Sequence, residues 1–358
     1  MKKSRILFVL KYREQPNDYS TGWGDGHGKF LHSGLYNSAK FVSDMLYQKG
    51  YDTKLVHVVD NNKIHKEIVE FKATHVIIEA YWVVPDKFAE LMRVCPNVKF
   101  IIRNHSETPF LANEGMAFDW SLRYLNYDNV CVSCNSPRMT KDLRSLVKKL
   151  HPTWSNEYIA YRTPFLPNYY PLDYYYPHTS SWNKNHIDIG CFGAIRPLKN
   201  HVTQAIAAIE WSHQQKKPLK FHINSQRVEM NGSPILNNLR GIFSKYDDCH
   251  LIEHSWKPHN EFKLLIGQMD VLMQVSFSET FNIVAADAVS KNVPIVVSPE
   301  VSWASWFTKA NPTSTTSMVN ALNRVMTLKK LIPSWNQNID GLITYNMISE
   351  LNWENYFG

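Results

Sequence analysis

Two basic residues stand where an apolar run gives way to a helical pattern in the second half of the chain. Arg196 and Lys199 lie in GAIRPLKN (residues 193–200), after the run IDIGCFG and before a helix expected to begin near His201. Cationic side chains beside a helix N-terminus can neutralise a diphosphate without a metal, because the helix adds free backbone N–H donors. A charged surface loop would show the same pattern. Both residues are candidates for a diphosphate site.

Two carboxylates lie at a second strand-to-helix junction further along the chain. Glu279 and Asp287 stand eight positions apart in SETFNIVAADA (residues 278–288), and the apolar run PIVVS follows. The first carboxylate closes a strand and its loop, and the expected helix opens behind it. This junction is the second candidate site.

Polar residues also end other apolar runs. His105 and Glu107 follow KFIIR, Asn224 ends FHIN, and Trp256 follows LIEHS. A position at the end of a strand favours a role in ligand binding, because ligands of open α/β sheets bind outside the carboxyl ends of the strands. A structural role for each of these residues stays open.

A glycine-rich segment, STGWGDGHGKF, follows the first apolar run. Glycine lets a backbone approach a ligand, but neither a Walker pattern nor GxGxxG fits here. A mobile lid, a phosphate cradle and a plain loop over residues 20–32 all stay open. The helix behind it is expected to start with Ser33 as N-cap and Gly34 in its first turn, and to stop at Gly50.

Two series of apolar runs must position these residues. The first comprises ILFVL, KLVHVV, HVIIEAY, KFIIRNH and NVCVSC, and the second comprises IDIGCFG, LKFHINS, HLIEHS, DVLMQVS and PIVVS. Continuous β-rich runs separated by helical patterns predict parallel sheets covered on both faces. We expect two doubly wound Rossmann-like α/β domains facing a central cleft, at residues 1–165 and 166–333, and a helical tail at 334–358 that packs back on the first.

Composition describes a globular protein. Apolar residues make up 44% of the 358, and no segment reaches the roughly 18 apolar residues of a membrane span. Only Cys131 and Cys134 of the five cysteines form a CxxC, with no second pair to complete a zinc site. Core thiols, a cytoplasmic location and no signal peptide are therefore expected.

Positive charge is concentrated in the first half. Residues 1–165 carry 23 basic and 17 acidic residues (net +6), whereas residues 166–358 carry 16 and 15 (net +1). The spacing of Arg138, Lys141, Arg144 and Lys148 predicts a basic stripe on one helix face. Such a stripe is either a solvated face or a surface for a polyanion such as DNA.

RPLKN and SETFNIVAAD together resemble the retaining glycosyltransferases of the GT-B fold, in the glycogen-synthase-like and sucrose-synthase-like group. In that family a Glu, seven residues and a second Glu precede a helix and a strand of the type PVV; Glu279 and Asp287 match, the second one methylene shorter. The resemblance covers nearly the whole chain and is most specific at residues 190–300. RPLKN and SFSETFN also resemble glycosyltransferases predicted in tailed bacteriophages.

The resemblance implies roles for the candidates. Glu279 would contact donor-sugar hydroxyls, Arg196 and Lys199 would bridge the diphosphate, and His105 would approach the reacting sugar. The remaining donor-site residues that the resemblance implies are Asp287 at the ribose, Thr280, Phe281 and Asn282 through backbone N–H groups, and Gly34 at the first helix. Asn224 and Trp256 are candidates for lining the nucleotide pocket because of their strand-end positions.

The resemblance implies a nucleotide-diphosphate sugar, by default a UDP-sugar, as co-substrate, and no other cofactor. The absence of a DxD triplet favours metal-independent transfer. The resemblance to phage glycosyltransferases, together with the basic first half, favours hydroxymethylated pyrimidines in phage duplex DNA as acceptor. The residues expected to contact this acceptor are Glu107, Arg138, Lys141 and Lys148. A glycan or lipid-linked acceptor, a nucleotide-sugar epimerase and a non-catalytic sugar-nucleotide-binding module stay open. The sequence does not indicate an oligomeric state.

Overall fold

A computed structural model describes residues 4–11, 34–172 and 184–358. Two compact units divide the chain. Among the described residues, unit 1 comprises 4–11, 34–171 and 345–358, and unit 2 comprises 172 and 184–344. The glycine-rich segment at 20–32 and Ser33 lie outside the described residues.

Unit 1 is built on a five-stranded parallel sheet in the order β2-β1-β3-β4-β5. Each strand coincides with an apolar run of the first series, as predicted. The strands are β1 (Arg5–Lys11), β2 (Asp52–Val58), β3 (His75–Glu79), β4 (Lys99–Asn104) and β5 (Val130–Cys134).

Seven α-helices within the described residues 34–171 connect or follow these strands, as the parallel topology requires, and a 3-10 helix spans Asn61–Lys63. Helix α1 begins at Gly34, and Gly50 just beyond its end has φ +87°, the left-handed conformation that glycine adopts readily. The helices are α1 (Gly34–Gln48), α2 (Ile64–Phe71), α3 (Lys87–Val94), α4 (Thr108–Leu111), α5 (Ala117–Tyr124), α6 (Pro137–Leu150) and α7 (Asn156–Arg162).

Unit 2 repeats this plan with a parallel sheet in the order β10-β9-β6-β7-β8. The strands are β6 (Ile187–Gly190), β7 (Leu219–Asn224), β8 (Cys249–His254), β9 (Val271–Gln274) and β10 (Ile295–Val297). Its helices are α8 (His201–Gln215), α9 (Ser233–Phe243), α10 (His259–Ile266), α11 (Ile283–Ser290) and α12 (Thr315–Leu331), with short 3-10 helices at Pro197–Lys199 and Trp306–Thr308.

The last helix, α13 (Ile339–Phe357), contributes its residues from Tyr345 onward to unit 1. Trp353 is fully buried there, and its indole N–H donates to the carbonyl of Pro167 at 2.8 Å. The side-chain amide of Asn346 donates to the carbonyl of Tyr170 at 2.7 Å. The end of the chain is thus part of the core of unit 1.

The sheets bury their central strands on both faces, which explains the unbroken apolar runs. Every residue of the central strands β6 and β9 is buried. All five cysteines are buried and free of disulfide bonds. Within the described ranges, none of the helices is long and apolar enough to cross a membrane.

Candidate functional site

The loop after β6 is held by a residue of the neighbouring strand. Gly193 has φ +116°, a conformation that side-chain-bearing residues rarely adopt, and its amide donates to the side-chain oxygen of Asn224 at 3.1 Å. Asn224 is buried at the carboxyl end of β7. This bond directs the chain into the 3-10 helix that carries Lys199, and α8 then begins at His201 as the sequence predicted.

Lys199 and Glu279 form an ion pair. The ammonium of Lys199 donates to Oε1 of Glu279, although 80 positions separate them in the chain. Their side chains are only 13% and 9% exposed. The two loops are also joined by their backbones, since the amide of Phe277 donates to the carbonyl of Leu198 at 2.9 Å. The structure therefore brings the two strongest sequence candidates into contact at the carboxyl edge of the sheet of unit 2.

Arg196 lies in a smaller charged cluster beside this pair. Glu229 accepts from Arg196 at 3.4 Å and from Arg227 at 2.6 Å, and the Arg227 guanidinium lies 5.1 Å from the centre of the Trp256 ring. A cation over an indole face is attractive because of the ring quadrupole. Two candidates from separate loops, Arg196 and Trp256, are thus linked through Arg227 and Glu229.

Burial and two nearby cations act on His201, the first residue of α8. Burial, followed by the charges of Lys199 and Arg196, lowers the pKa of His201 to about 3. His201 is therefore neutral near pH 7. Lys199 and Arg196, each paired with a glutamate, lie at the start of α8, where the partial positive charge of the helix N-terminus also favours an anionic ligand.

The loop from Glu279 to α11 is held by hydrogen bonds and ring packing within unit 2. Phe281 is buried against Trp303, with ring centres 5.9 Å apart, and its carbonyl accepts from the indole N–H of Trp303 at 2.7 Å. Asn282 has φ +61°, and its side-chain oxygen accepts from the amide of Ala285 at 2.9 Å. Thr280, between Glu279 and Phe281, is half-buried. These contacts fix the loop in front of the helix.

Asp287 lies on α11 and faces a histidine that sequence reasoning did not select. Its carboxylate is 2% exposed, and Oδ1 lies 2.7 Å from Nε2 of His259, the first residue of α10. The imidazole is therefore the more accessible member of the pair.

Several buried polar atoms near this edge have no hydrogen-bond partner within the residues that the structure describes. They are both ring nitrogens of His201, the hydroxyl of Ser276 and the indole nitrogen of Trp256. Each residue follows the carboxyl end of a strand in unit 2. Because buried polar groups are usually hydrogen-bonded, these atoms favour a polar ligand at this edge.

In unit 1, His105 belongs to a buried charged network. Its Nε2 is hydrogen-bonded to Oε2 of Glu79, whose Oε1 accepts from Arg103 at 3.2 Å. Arg103 also donates to the side-chain oxygen of Asn168 at 2.6 Å. Burial lowers the pKa of His105, and Glu79 opposes that shift. The residue that orients His105 is thus Glu79.

Glu79 was missed in the sequence analysis, although the signal was present. It is fully buried at the carboxyl end of β3, where HVIIEAY places one charge inside an otherwise apolar run. Burial opposes its ionisation, but Arg103 and His105 hold the pKa of Glu79 below its ordinary value. A carboxylate at the end of a buried strand could have been predicted to contact the charged residues at the end of the next strand, β4.

Glu107 is buried and accepts from Nε of Arg138, on α6, at 3.1 Å. The predicted basic stripe does lie on this helix, with Arg138, Lys141 and Lys148 exposed and Arg144 half-buried. A groove of about 590 Å³ follows the stripe and is lined by Pro137, Thr140, Lys141, Arg144, Ser145, Lys148, Lys149 and Phe165. Four basic side chains in one groove form a surface for an anion.

Solved glycosyltransferase structures resemble the chain over most of its length. A UDP-forming α,α-trehalose-phosphate synthase from Burkholderia xenovorans has a TM-score of 0.65 at 12% identity, covering 99% of this chain and 98% of that one. A sucrose-phosphate synthase from Thermosynechococcus elongatus has a TM-score of 0.60 at 13% identity, covering 99% and 96%. The chain has the GT-B fold. The fold expected from the sequence is confirmed.

A third similar structure is longer. TarM from S. aureus, in complex with fondaparinux, α-GlcNAc-glycerol and UDP, has a TM-score of 0.55 at 11% identity, covering 79% of this chain. This chain spans 55% of the length of TarM. No protein-family model and no curated protein matches the sequence.

Proposed function

We propose that this chain is a retaining glycosyltransferase that moves a sugar from a UDP-sugar to an acceptor hydroxyl. The observation that carries the proposal is the Lys199–Glu279 pair beside Arg196 at the start of α8, in a GT-B fold. Support for the nucleotide comes from the UDP-forming synthase and from TarM, which is bound to UDP. Both resemble this chain in fold.

In this proposal the ion pair separates when the donor binds. Glu279 accepts hydrogen bonds from sugar hydroxyls, and the Lys199 ammonium turns to the diphosphate beside Arg196. As the bond between the sugar and the diphosphate breaks, both cations stabilise the negative charge that develops on the leaving group. The acceptor oxygen attacks from the same face, and its proton passes to a phosphate oxygen of the departing UDP.

His105 has the second catalytic role in this proposal. Its hydrogen bond to Glu79 holds the imidazole in one orientation. The buried Arg103 keeps Glu79 ionised, so that the histidine faces a stable carboxylate. Glu79 and Arg103 therefore act by positioning His105.

Incubation of the purified chain with a panel of nucleotide sugars tests the proposal. Slow release of UDP without acceptor, and faster release with one, would support transfer. Sugar inversion without an acceptor would identify an epimerase. Donor binding without turnover would identify a non-catalytic module and overturn the proposal.

Asp287→Ala is expected to raise the apparent KM for the donor about tenfold and to leave kcat nearly unchanged. The variant loses the proposed hydrogen bond between the ribose and the Asp287 carboxylate. It also loses the hydrogen bond between that carboxylate and His259. Steady-state kinetics with varied donor measures it, with the exposed Asp247→Ala as the matched control. A fall in kcat alone would contradict a ribose role.

For the acceptor we propose hydroxymethylated pyrimidines in duplex DNA, as in a phage genome. The support is the groove along α6, with Lys141 and Lys149 exposed at its surface. Cationic side chains along a groove bind the phosphate backbone by releasing counterions. Labelled sugar on a glycan or lipid-linked sugar, with none on hydroxymethylated DNA, would overturn this choice.

Replacing Lys141 and Lys149 together by Gln is expected to weaken duplex binding and to flatten its salt dependence. Each lost phosphate contact should reduce the slope of log K against log[salt] by about 0.9. Lys148 stays in place because its ammonium donates to the carbonyl of Trp154 at 2.7 Å. Binding assays at several salt concentrations measure the slope, with the exposed Lys66→Gln as control. An unchanged slope would exclude this groove.

A further inference from the structure

Three potential metal ligands converge in unit 2, outside the residues discussed above. They are His213 near the end of α8, and Asp248 and Cys249 at the start of β8. The Cys249 sulfur lies 3.7 Å from Nε2 of His213 and 3.6 Å from Oδ1 of Asp248. Nε2 of His213 lies 3.6 Å from Oδ1 of Asp248. The three atoms thus form a nearly equilateral triangle.

This triangle has the dimensions of one face of a zinc tetrahedron. Sulfur, nitrogen and oxygen ligands at about 2.0–2.3 Å from a tetrahedral Zn²⁺ lie about 3.4–3.6 Å from one another. The observed separations exceed these values by about 0.2 Å or less. Only a small movement of the side chains would be needed.

Rigid elements carry all three ligands, so the arrangement is not that of a floppy loop. Cys249 pairs with Leu219 in the sheet, and the amide of Leu219 donates to the carbonyl of Asp248 at 2.8 Å. The amide of Lys216, just beyond α8, donates to the carbonyl of His213 at 3.1 Å. Ligands on anchored backbone need little reorganisation to bind.

The site has one shielded side and one open side. Cys249 is buried, whereas the side chains of His213 and Asp248 are 45% and 54% exposed. A cation can therefore enter from solvent and keep water as its fourth ligand. A thiolate and an imidazole select a borderline metal such as Zn²⁺ over Mg²⁺ or Ca²⁺, which prefer oxygen ligands.

We propose that His213, Asp248 and Cys249 form a zinc site that ties the end of α8 to the start of β8. The site lies at the amino end of β8, whereas Lys199 and Glu279 follow the carboxyl ends of strands in the same sheet. The site does not depend on the proposed transferase activity.

Titration with Co²⁺, a coloured substitute for Zn²⁺, tests the proposal. The chain is prepared without a polyhistidine tag and kept reduced. One Co²⁺ per chain should bind, with a thiolate-to-metal absorption band and the visible bands of a tetrahedral site, and Zn²⁺ should displace it. Because Zn²⁺ binds the thiolate, affinity should increase with pH as the thiol proton is displaced.

Variants separate this site from adventitious binding. Cys249→Ser should abolish the thiolate band, and His213→Gln and Asp248→Asn should each weaken binding at least about tenfold. The matched controls are the exposed neighbours Asp247→Asn and His250→Gln, which should bind as the parent does. Zinc should also raise the melting temperature of the parent but not of His213→Gln.

Absence of stoichiometric binding would overturn the proposal, as would a spectrum that survives in Cys249→Ser. If Cys249→Ser does not fold, His213→Gln and Asp248→Asn provide the test, because these two residues are exposed and their substitution leaves the core intact. Equal weakening in the control variants would show nonspecific surface binding and would also overturn it. Donor turnover in His213→Gln should equal that of the parent.

Discussion

Lys199→Ala is expected to lower the rate of sugar transfer at least about tenfold, and Glu279→Gln should lower it by a similar factor. The lysine variant removes a cation from the leaving diphosphate, where charge develops as the glycosidic bond breaks. The glutamine variant keeps the size of the side chain but removes the carboxylate that accepts from the sugar. Initial rates of UDP release, with donor and acceptor saturating, measure both effects.

Folding must be checked in both variants, because each leaves a largely buried charge without its partner. Circular dichroism and thermal unfolding provide that check. The matched controls are Lys245→Ala and Glu210→Gln, which change exposed residues of the same unit. Full activity of Lys199→Ala and Glu279→Gln in folded protein would show that the donor site lies elsewhere.

Trp353→Ala is expected to lower the free energy of unfolding of unit 1 by about 3–5 kcal/mol. The indole is fully buried, donates to the carbonyl of Pro167, and lies 5.2 Å from the guanidinium of Arg103. Truncation would leave a cavity and remove one of the hydrogen bonds to the Pro167 carbonyl. Urea unfolding measures the loss, and hydrogen exchange in peptides from β1 and β4 assigns it to unit 1.

Trp306→Ala is the matched control, because Trp306 is 80% exposed. Its removal should change the free energy of unfolding by no more than about 0.5 kcal/mol. Equal effects of the two substitutions would contradict the packing assigned to the last helix. Trp353→Ala should also loosen the Arg103 network and so reduce turnover.

The sequence was sufficient to place the strands, because central parallel strands are buried on both faces and leave unbroken apolar runs. KFIIRNH contains β4, and DVLMQVS contains β9. The loops that end such strands are where open α/β sheets place ligands, so Lys199 and Glu279 could be selected by position. The ion pair between them depends on which strands are neighbours, and no local pattern contains that information.

Other features were out of reach for the same reason. His259 is the first residue of α10, and the residues around it form no functional motif. It becomes a candidate only through its contact with Asp287, 28 positions away. The His213, Asp248 and Cys249 cluster needs both the end of α8 and the start of β8. Spacing along the chain could not have predicted it, because strand β7 and helix α9 intervene between His213 and Asp248.

The placement of residues 345–358 in unit 1 has a consequence for synthesis of the protein. A ribosome adds about 5–20 residues per second, so these residues follow residue 171 by roughly 10–35 s. Until then the nascent unit 1 lacks Trp353 and exposes the apolar surface that this residue covers. The described part of unit 2, residues 184–344, is continuous and is complete before the last residues of unit 1 are made. Unit 1 therefore passes through a period in which a chaperone that binds exposed apolar surface would protect it.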